Sequence, residues 1–506
     1  MQNLEDYLPF FNKTSFRPGQ KDVIEAILAG RDVLAIWPTG AGKSLTYQLP
    51  AMLMPHLTIV VSPLISLMQD QVSSLFCLGF ANAACITSEH SMQDRRFVME
   101  SVRQGKIKLL FISPERLTSD SFINELEGTE VSLLAVDEAH CISQWGHDFR
   151  PDYLNIGRAA VMLKPRSILA VTATAPPQIC AQIKTLLGMR DPLVNKLPLI
   201  RPNLSLEAVP CEQDKKEAMV LSRLCRRGGL PAIVYARKRR DTERLALYLN
   251  KYGLPAACYH AGLDAWQKEE TLARFISGDI SVVTATVAFG MGIDKNDVRQ
   301  IIHISPPDSP EAYYQETGRA GRDGGESECV MLYSKDDADN LMMSLADKYP
   351  PQDTYEELYN ALEAYPPAQI RPHCLSVSPG GWRMVLGALC GPSYSMDIVN
   401  EIKVTKDAGW HYLQSLKNAE INRARHMLEY INTRQCRLQD LLRYFGEEAK
   451  PCGKCDNCRK LALQALPQRS PSLFDLPYAK IKEKLKCAGA FLKAIPEICC
   501  LQSNPT

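Results

Sequence analysis

Ten residues, Ile36-Trp37-Pro38-Thr39-Gly40-Ala41-Gly42-Lys43-Ser44-Leu45, have nearly the types and spacing of a phosphate-binding loop. Gly40 and Gly42 let backbone N–H groups come close to phosphate oxygens. Lys43 reaches the β- and γ-phosphates, and the Ser44 hydroxyl can ligate Mg²⁺. The strict pattern G-x-x-x-x-G-K-[ST] needs a glycine at position 37, and Trp37 stands there. On the loop alone, a chance Gly-Lys-Ser in a turn competes with the functional reading. A second group bears on the choice. In Ala135-Val136-Asp137-Glu138-Ala139-His140 two adjacent carboxylates follow an apolar strand. Ligands of parallel sheets sit at strand carboxyl ends. Asp137 there can hold a divalent cation, and Glu138 can orient and deprotonate a water.

The elements that must position these groups are legible as short apolar runs. Residues 33–36, 57–61, 108–112, 133–136 and 168–171 read as strands buried on both faces, separated by helical spacing. A second series runs through 232–235, 281–284, 301–304 and 330–333. The rhythm predicts two parallel-sheet α/β units joined by the Pro-rich stretch 197–202. Beyond about 345 the strands stop, and 355–365 and 421–445 have helical spacing. The length of 506 residues fits about three domains. Lys+Arg (58) and Asp+Glu (57) nearly balance, so a polyanion must be met by local patches, because the molecule has no overall field. Glu5 and Asp6 argue against a signal peptide, and no run of 18 apolar residues predicts a membrane span.

Most of the 17 cysteines are scattered inside apolar runs, as buried free thiols are, and the odd count fits a reducing compartment. Cys452, Cys455 and Cys458 form C-x₂-C-x₂-C, three soft ligands for Zn²⁺, and Cys436 is the candidate fourth. An iron–sulfur cluster is the rival for four cysteines.

The motif PTGAGKS with DEAH resembles the superfamily 2 helicases, whose phosphate loop commonly lacks the first glycine. The likeness is greater still to the RecQ DNA helicases, over roughly residues 10–340 and a short segment at 430–460. Phe16-Arg17-Pro18-Gly19-Gln20, SPLISLM from Ser62, DEAHCISQWGHDFRPDY from Asp137 to Tyr153, VTATA from Val171, ATVAFGMGID from Ala285 and QETGRAGRDG from Gln315 carry it. The resemblance implies an α/β fold of two tandem RecA-like parallel-sheet domains followed by a mostly helical zinc-binding module. The expected units are 1–200, 201–345, 346–465 and a tail of unknown role at 466–506. It implies ATP between the two sheets. Phe16, Arg17 and Gln20 would meet the adenine, and Thr39, Gly40, Ala41, Gly42, Lys43, Ser44 and Leu45 the phosphates. Ser44 and Asp137 would hold Mg²⁺, and Glu138 would act on water. Arg319 and Arg322 resemble arginine fingers, with a basic surface turn as the bland alternative. Trp145, Phe149 and Arg150 resemble the family's aromatic-rich loop, suited to stacking on single-stranded DNA. His140 and His147 would couple the sites. Ser62, Ser113, Thr172 and Thr174 resemble strand-contact or coupling positions. Cys436, Cys452, Cys455 and Cys458 would bind Zn²⁺ in a closed structural site.

The implied function is an ATP-dependent 3′–5′ DNA helicase, coupling hydrolysis to translocation on single-stranded DNA and to duplex unwinding in recombination and repair. Its partners would be single-stranded DNA and tailed or branched duplexes, with no membrane, in the cytoplasm (on the nucleoid in a bacterium). The 48 residues after Cys458 are too few for the family's usual winged helix. A DNA-stimulated translocase that unwinds little is therefore the alternative. An RNA helicase with the same core is a third reading, which the aromatic segment argues against. Within the long interval before Cys436, Met396–Ile402 and Asp407–Ile421 could form a helix-turn-helix, or a plain helical insert. The basic run 237–240 reads equally as a solvated helix start and as a DNA contact.

Overall fold

The computed structural model describes residues 3–87, 90–142, 151–226, 228–290, 295–364, 405–465 and the single positions 385 and 389. The first sheet has seven strands: β1 (Val33–Ile36), β2 (Leu57–Val61), β3 (Ala83–Ile86), β4 (Leu109–Ile112), β5 (Val131–Val136), β6 (Ser167–Thr172) and β7 (Leu193–Lys196). Their order is β3-β4-β2-β5-β6-β1-β7. The second has six: β8 (Leu204–Pro210), β9 (Ala232–Tyr235), β10 (Ala256–Tyr259), β11 (Val282–Ala285), β12 (Gln300–His303) and β13 (Ser327–Tyr333), in the order β10-β11-β9-β12-β13-β8. Every pairing between these strands is parallel. The expected two RecA-like layers are present.

Period-two alternation explains why the central strands read as unbroken apolar runs. Leu34, Ile36, Ile59, Val61, Leu134 and Val136 pack on one face of the first sheet. Val33, Ala35, Val60, Leu133, Ala135 and Val171 pack on the other. Fully burying such a side chain contributes about 1.5–3 kcal/mol. The register sets the functional edge: Ile36 lies opposite Thr172, and Val61 opposite Val136. The carboxyl ends of β1, β2, β5 and β6 therefore open on one crevice.

The helix Gln352–Ala364 takes up most of the span read as helical from 355. The span read as helical from 421 to 445 is two helices, Lys406–Asn432 and Arg437–Tyr444, broken at Thr433–Cys436. Asp407–Ile421 belongs to that single 27-residue helix. The first helix proposed for a helix-turn-helix lies outside the described residues. A last helix, Asp456–Ala465, follows the cysteine run. This helical module covers one face of the second sheet. Leu441, Leu442, Phe445, Cys436 and Cys455 share a core with Tyr235, Ile301, Tyr313 and Met331. Buried Arg437 binds Asp456 through Nε–Oδ1 at 2.5 Å and Nη2–Oδ2 at 2.9 Å, joining the starts of the last two helices. The basic run 237–240 straddles the start of the helix Arg239–Lys251, and Arg237 pairs with Asp308.

Asp32 ties the base of the first sheet. Its Oδ1 accepts the Ile168 amide at 2.8 Å, and its Oδ2 accepts the Arg190 amide at 2.6 Å. Asp32→Ala orphans two backbone amides and should cost roughly 2–4 kcal/mol, read as an earlier urea transition of this unit. An unchanged midpoint would show that water replaces both bonds.

Candidate functional site

The chain leaves β1 at Ile36, but Trp37 still donates its amide to the Thr172 carbonyl at 2.9 Å. Its ring is buried, and the indole N–H donates to Asn195 Oδ1 at 2.8 Å. Trp37 is thus the last residue of the sheet, and the loop proper begins at Pro38. Gly40 (φ +86°) and Gly42 (φ +83°) take left-handed conformations that other residues adopt only under strain. A Cβ on Gly42 would also stand 2.6 Å from Gln20 Nε2. Gln20 is buried, its Oε1 accepting the Arg17 amide at 2.8 Å and its Nε2 donating to the Gly42 carbonyl at 2.9 Å. The Arg17 guanidinium donates to the Gly40 carbonyl. The residues expected to meet the base thus grip the phosphate loop in this conformation. Each Gln20 amide atom keeps a second bonding position for a purine edge. The helix Leu45–Leu53 follows directly on Lys43 and Ser44.

Asp137 continues β5 by one hydrogen bond, its amide to the Val61 carbonyl at 2.9 Å. Glu138 then takes φ +47°, a strained turn for a non-glycine residue. Three bonds hold the turn. Asp137 Oδ1 accepts the Glu138 amide at 2.9 Å, the Cys141 amide donates to the Glu138 carbonyl at 2.9 Å, and buried Tyr153 donates its hydroxyl to the Asp137 carbonyl at 3.0 Å. Burial raises the Asp137 carboxyl to about 6, the Glu138 charge adds to the shift, and Lys43 opposes it. Glu138 Oε2 lies 3.3 Å from His140 Nδ1, yet it is buried without a hydrogen bond. His140 is buried, with Nδ1 3.0 Å from Thr172 Oγ1, which donates on to the Thr174 carbonyl at 3.1 Å. A polar chain therefore links the acid pair to the end of β6. Ser62 Oγ and Thr174 Oγ1 along the same edge are buried without partners.

The second domain brings two arginines. Arg319 is buried and donates to the Gly290 carbonyl of its own domain. Arg322 reaches across: its Cγ and Cδ lie 3.7 and 3.8 Å from where a Cβ on Gly40 would be. Arg322 thus closes on the loop that leads to Lys43 and Ser44, Lys43 acts on the Asp137 carboxyl, and Arg319 is held within its own domain. Trp145, Phe149, Arg150 and His147 lie outside the described residues.

The four sulfurs of Cys436, Cys452, Cys455 and Cys458 lie within 4.8 Å of one another. Tetrahedral Zn²⁺ at about 2.3 Å from each sulfur asks for sulfur–sulfur spacings of about 3.8 Å. Backbone amides already point at three of the sulfurs. Cys452 N–H donates to Cys436 Sγ at 3.2 Å and Cys455 N–H to Cys452 Sγ at 3.3 Å. Cys455 Sγ accepts Arg437 N–H and Cys458 N–H, both at 3.4 Å. Such donors favour thiolates, and the set fits a closed structural ion with no open position for substrate.

Sequence reasoning gives no role to Tyr153, Arg201, Asn203 or Glu447, although Tyr153 closes the motif that begins at Asp137. The partners of Arg201, Asn203 and Glu447 lie more than a hundred residues away in the chain.

Three family profiles match in order: DEAD/DEAH box helicase at 17–183, helicase conserved C-terminal domain at 215–324 and RecQ zinc-binding at 401–459. The chain is 36% identical over 453 residues to the ATP-dependent DNA helicase RecQ of Pasteurella multocida, covering 88% of this chain and 61% of that protein. It is 36% identical over 452 residues to the RecQ of Bacillus subtilis, covering 89% and 65%. Against the probable ATP-dependent DNA helicase RecS of Bacillus subtilis it is 40% identical over 329 residues, covering 65% and 66%. The chain thus spans a little under two thirds of these relatives' length. Among solved structures, the Mycobacterium smegmatis helicase Lhr bound to ssDNA and AMP-PNP shares the fold at a TM-score of 0.54 and 20% identity, covering 82% of this chain and 62% of that one. Among the described residues no helix is long and apolar enough to cross a membrane.

Two outcomes follow. The folded-state carboxyl of Asp137, at about 6, sits above its ordinary 3.8. Folding therefore takes up a proton between those values, and stability falls as pH rises through that window. Asp137→Asn should melt higher than the wild type, without nucleotide or cation, above pH 6. The difference should vanish below about pH 4. Melting curves at the two pH values decide it, and a constant difference refutes the assignment. Separately, a strong chelator should release one zinc per chain and loosen the second domain, because Cys436, Cys455 and Cys458 belong to its core. Zinc release with an unchanged melting curve would refute the structural role.

Proposed function

The chain belongs to the RecQ family of superfamily 2 helicases, and on that premise we propose that it hydrolyses ATP to move along single-stranded DNA and to unwind duplex DNA. The proposal includes 3′ to 5′ polarity and work on tailed or branched duplexes in recombination and repair, both from family likeness. The observation that carries the reading is the crevice itself: the Lys43 loop, the Asp137–Glu138 pair and the Arg322 stem meet across two domains.

In this reading the Gly40 and Gly42 amides and Lys43 bind the phosphates. Ser44 and Asp137 would hold Mg²⁺, which neutralises phosphate charge when bound. The fit rests on the chemistry of the donors, a hydroxyl and a carboxylate that burial and the Glu138 charge make costly to ionise without a cation. Glu138 Oε2, buried and lacking a hydrogen bond, is suited to accept a proton from the attacking water. The His140 ring lies 3.3 Å from that oxygen and is itself hydrogen-bonded to Thr172 on β6, a route between the carboxylate and the strand end. Arg322 offers positive charge to the transferring phosphoryl group, where losing it costs about a thousandfold or more. Arg319, bonded to Gly290, shapes the segment that bears Arg322. Trp145, Phe149 and Arg150 are assigned to the strand by resemblance. Base stacking there would link strand occupancy to the Asp137 turn, because they lie between it and Tyr153 in sequence.

The test uses ATP turnover with DNA and RNA single strands, and displacement from 3′- and 5′-tailed duplexes. DNA-stimulated turnover with displacement from the 3′ tail supports the proposal. Stimulated turnover without displacement supports a translocase that unwinds little. Greater stimulation by RNA would sink the DNA assignment. Lys43→Ala should lower turnover by about a hundredfold or more while the far-UV spectrum is unchanged.

A further inference from the structure

The segment between the sheets is a brace more than a tether. Leu197 donates its amide to the Ile36 carbonyl at 3.0 Å, extending the pairing of β7 with β1 just before the phosphate loop. Leu199 is buried, and both its backbone groups are bound. Its amide donates to Glu447 Oε2 at 3.0 Å, and its carbonyl accepts the Tyr314 hydroxyl at 2.9 Å. Arg201 then spreads its guanidinium over the carbonyl ends of the arginine-bearing turn. Nη1 donates to Gly318 at 3.2 Å, and Nη2 donates to Ala320 at 2.8 Å and Gly321 at 3.0 Å. Asn203 Nδ2 adds Gly321 at 2.8 Å and Gly325 at 2.9 Å. These carbonyls flank Arg319 and Arg322 in sequence.

The third participant comes from the cysteine module. The helix Arg437–Tyr444 begins directly after Cys436, and the chain turns away from its end at Gly446, where φ is +71°. The Glu447 amide closes that end on the Leu442 carbonyl at 2.9 Å, which fixes where the side chain points. Its other carboxylate oxygen, Oε1, meets Lys196 Nζ at 3.1 Å at the end of β7. Phe445 packs edge-on against Tyr314 with ring centres 5.4 Å apart. One carboxylate thus joins the zinc module, the first domain and the linker.

We propose that Arg201, aided by Asn203, is the positioning residue of the Arg319–Arg322 turn, and that Glu447 fixes Arg201 by holding Leu199. The inference rests on the reading that Arg322 acts on the transferring phosphate. The Arg201 guanidinium donates to backbone carbonyls of the turn, so in this proposal it acts through Arg322. Its effect is to set the height of Arg322 over Gly40, and a misplacement of about 1 Å can cost about a hundredfold in rate. A lysine cannot replace it, since one ammonium lacks the planar fork that spans three carbonyls.

The experiment is a double-mutant cycle in the full chain with zinc bound. Turnover is measured at saturating single-stranded DNA and across ATP concentration. Arg201→Gln and Arg201→Lys should lower kcat about 10- to 100-fold with little change in the KM for ATP, in DNA affinity or in zinc content. In an Arg322→Ala background neither should lower turnover further, because the group they position is gone. Glu447→Ala should show the same pattern with a smaller loss, and it carries the test if the Arg201 variants do not fold. Wild-type kcat in Arg201→Gln or Glu447→Ala overturns the inference, as does an equal fold-loss with and without Arg322. If the wild type is inactive, or Arg322→Ala turns over fully, the functional reading falls as well. The Arg322→Ala control therefore separates the two failures.

Discussion

Two carboxylates in a crevice that little water reaches are the constraint around which the site is arranged. Asp137 and Glu138 are adjacent, Asp137 is buried and Glu138 nearly so, and burial together with the Glu138 charge makes Asp137 harder to ionise. Lys43 is the near positive group that opposes this. A pair so placed would relax outward if the backbone allowed it. It does not, because Asp137 is hydrogen-bonded into the sheet through Val61, Tyr153 holds its carbonyl, and Glu138 is kept in a left-handed turn. The position of β5 at the centre of seven strands gives that turn a rigid base. Removing the local negative charge at this edge would lessen the need for a cationic loop and an arginine from the other domain.

That arginine raises a mechanical question, since a side chain delivered from a second sheet inherits every error of the linker. The linker is short, and its backbone is bonded on both sides. Leu197 belongs to the β1–β7 edge, Leu199 is held by Glu447 and Tyr314, and Arg201 holds the turn. The cysteine module contributes because it covers one face of the second sheet with Phe445, Leu441 and Leu442, as a flanking helix does elsewhere in α/β layers. The four-cysteine module is thereby tied, through Glu447 and Leu199, to the segment that leads into Arg201.

Strands buried on both faces announced themselves as apolar runs, and β2, β5, β9 and β12 needed little more than that. The edge strand β7 did not, because Leu193–Lys196 alternates between half-buried and exposed positions, and β3 is half-buried for most of its length. The phosphate loop, the acid pair and the cysteine cluster were legible because their chemistry sits in a few consecutive residues. Glu447 and Arg201 were not, because their partners lie 248 and 117–120 residues away, and a distant partner leaves no periodic mark. The break between the helices at Thr433–Cys436 was missed for a related reason. Apolar spacing continues across it, while the geometry needed to bring Cys436 near Cys455 interrupts the helix.

The tryptophan in place of the loop's first glycine has a physical account. A glycine at that place supplies freedom to turn, and here the chain does not turn at position 37. Trp37 extends β1 by one hydrogen bond, and its ring fills the core beside Asn195. The turn falls on Pro38, whose carbonyl accepts the Ala41 amide at 3.1 Å, and on the left-handed Gly40 and Gly42. Arg17 and Gln20 then hold the carbonyls of Gly40 and Gly42 from outside. A peptide whose carbonyl is held on one side presents its N–H toward the other, so these two side chains orient the amides that must face phosphate. Curvature that the strict motif draws from a flexible residue is here imposed by residues some twenty positions upstream. Arg17 and Gln20 are also the residues that the family resemblance assigns to the base, and on that assignment occupation of the base site and the shape of the phosphate loop would act on one set of hydrogen bonds.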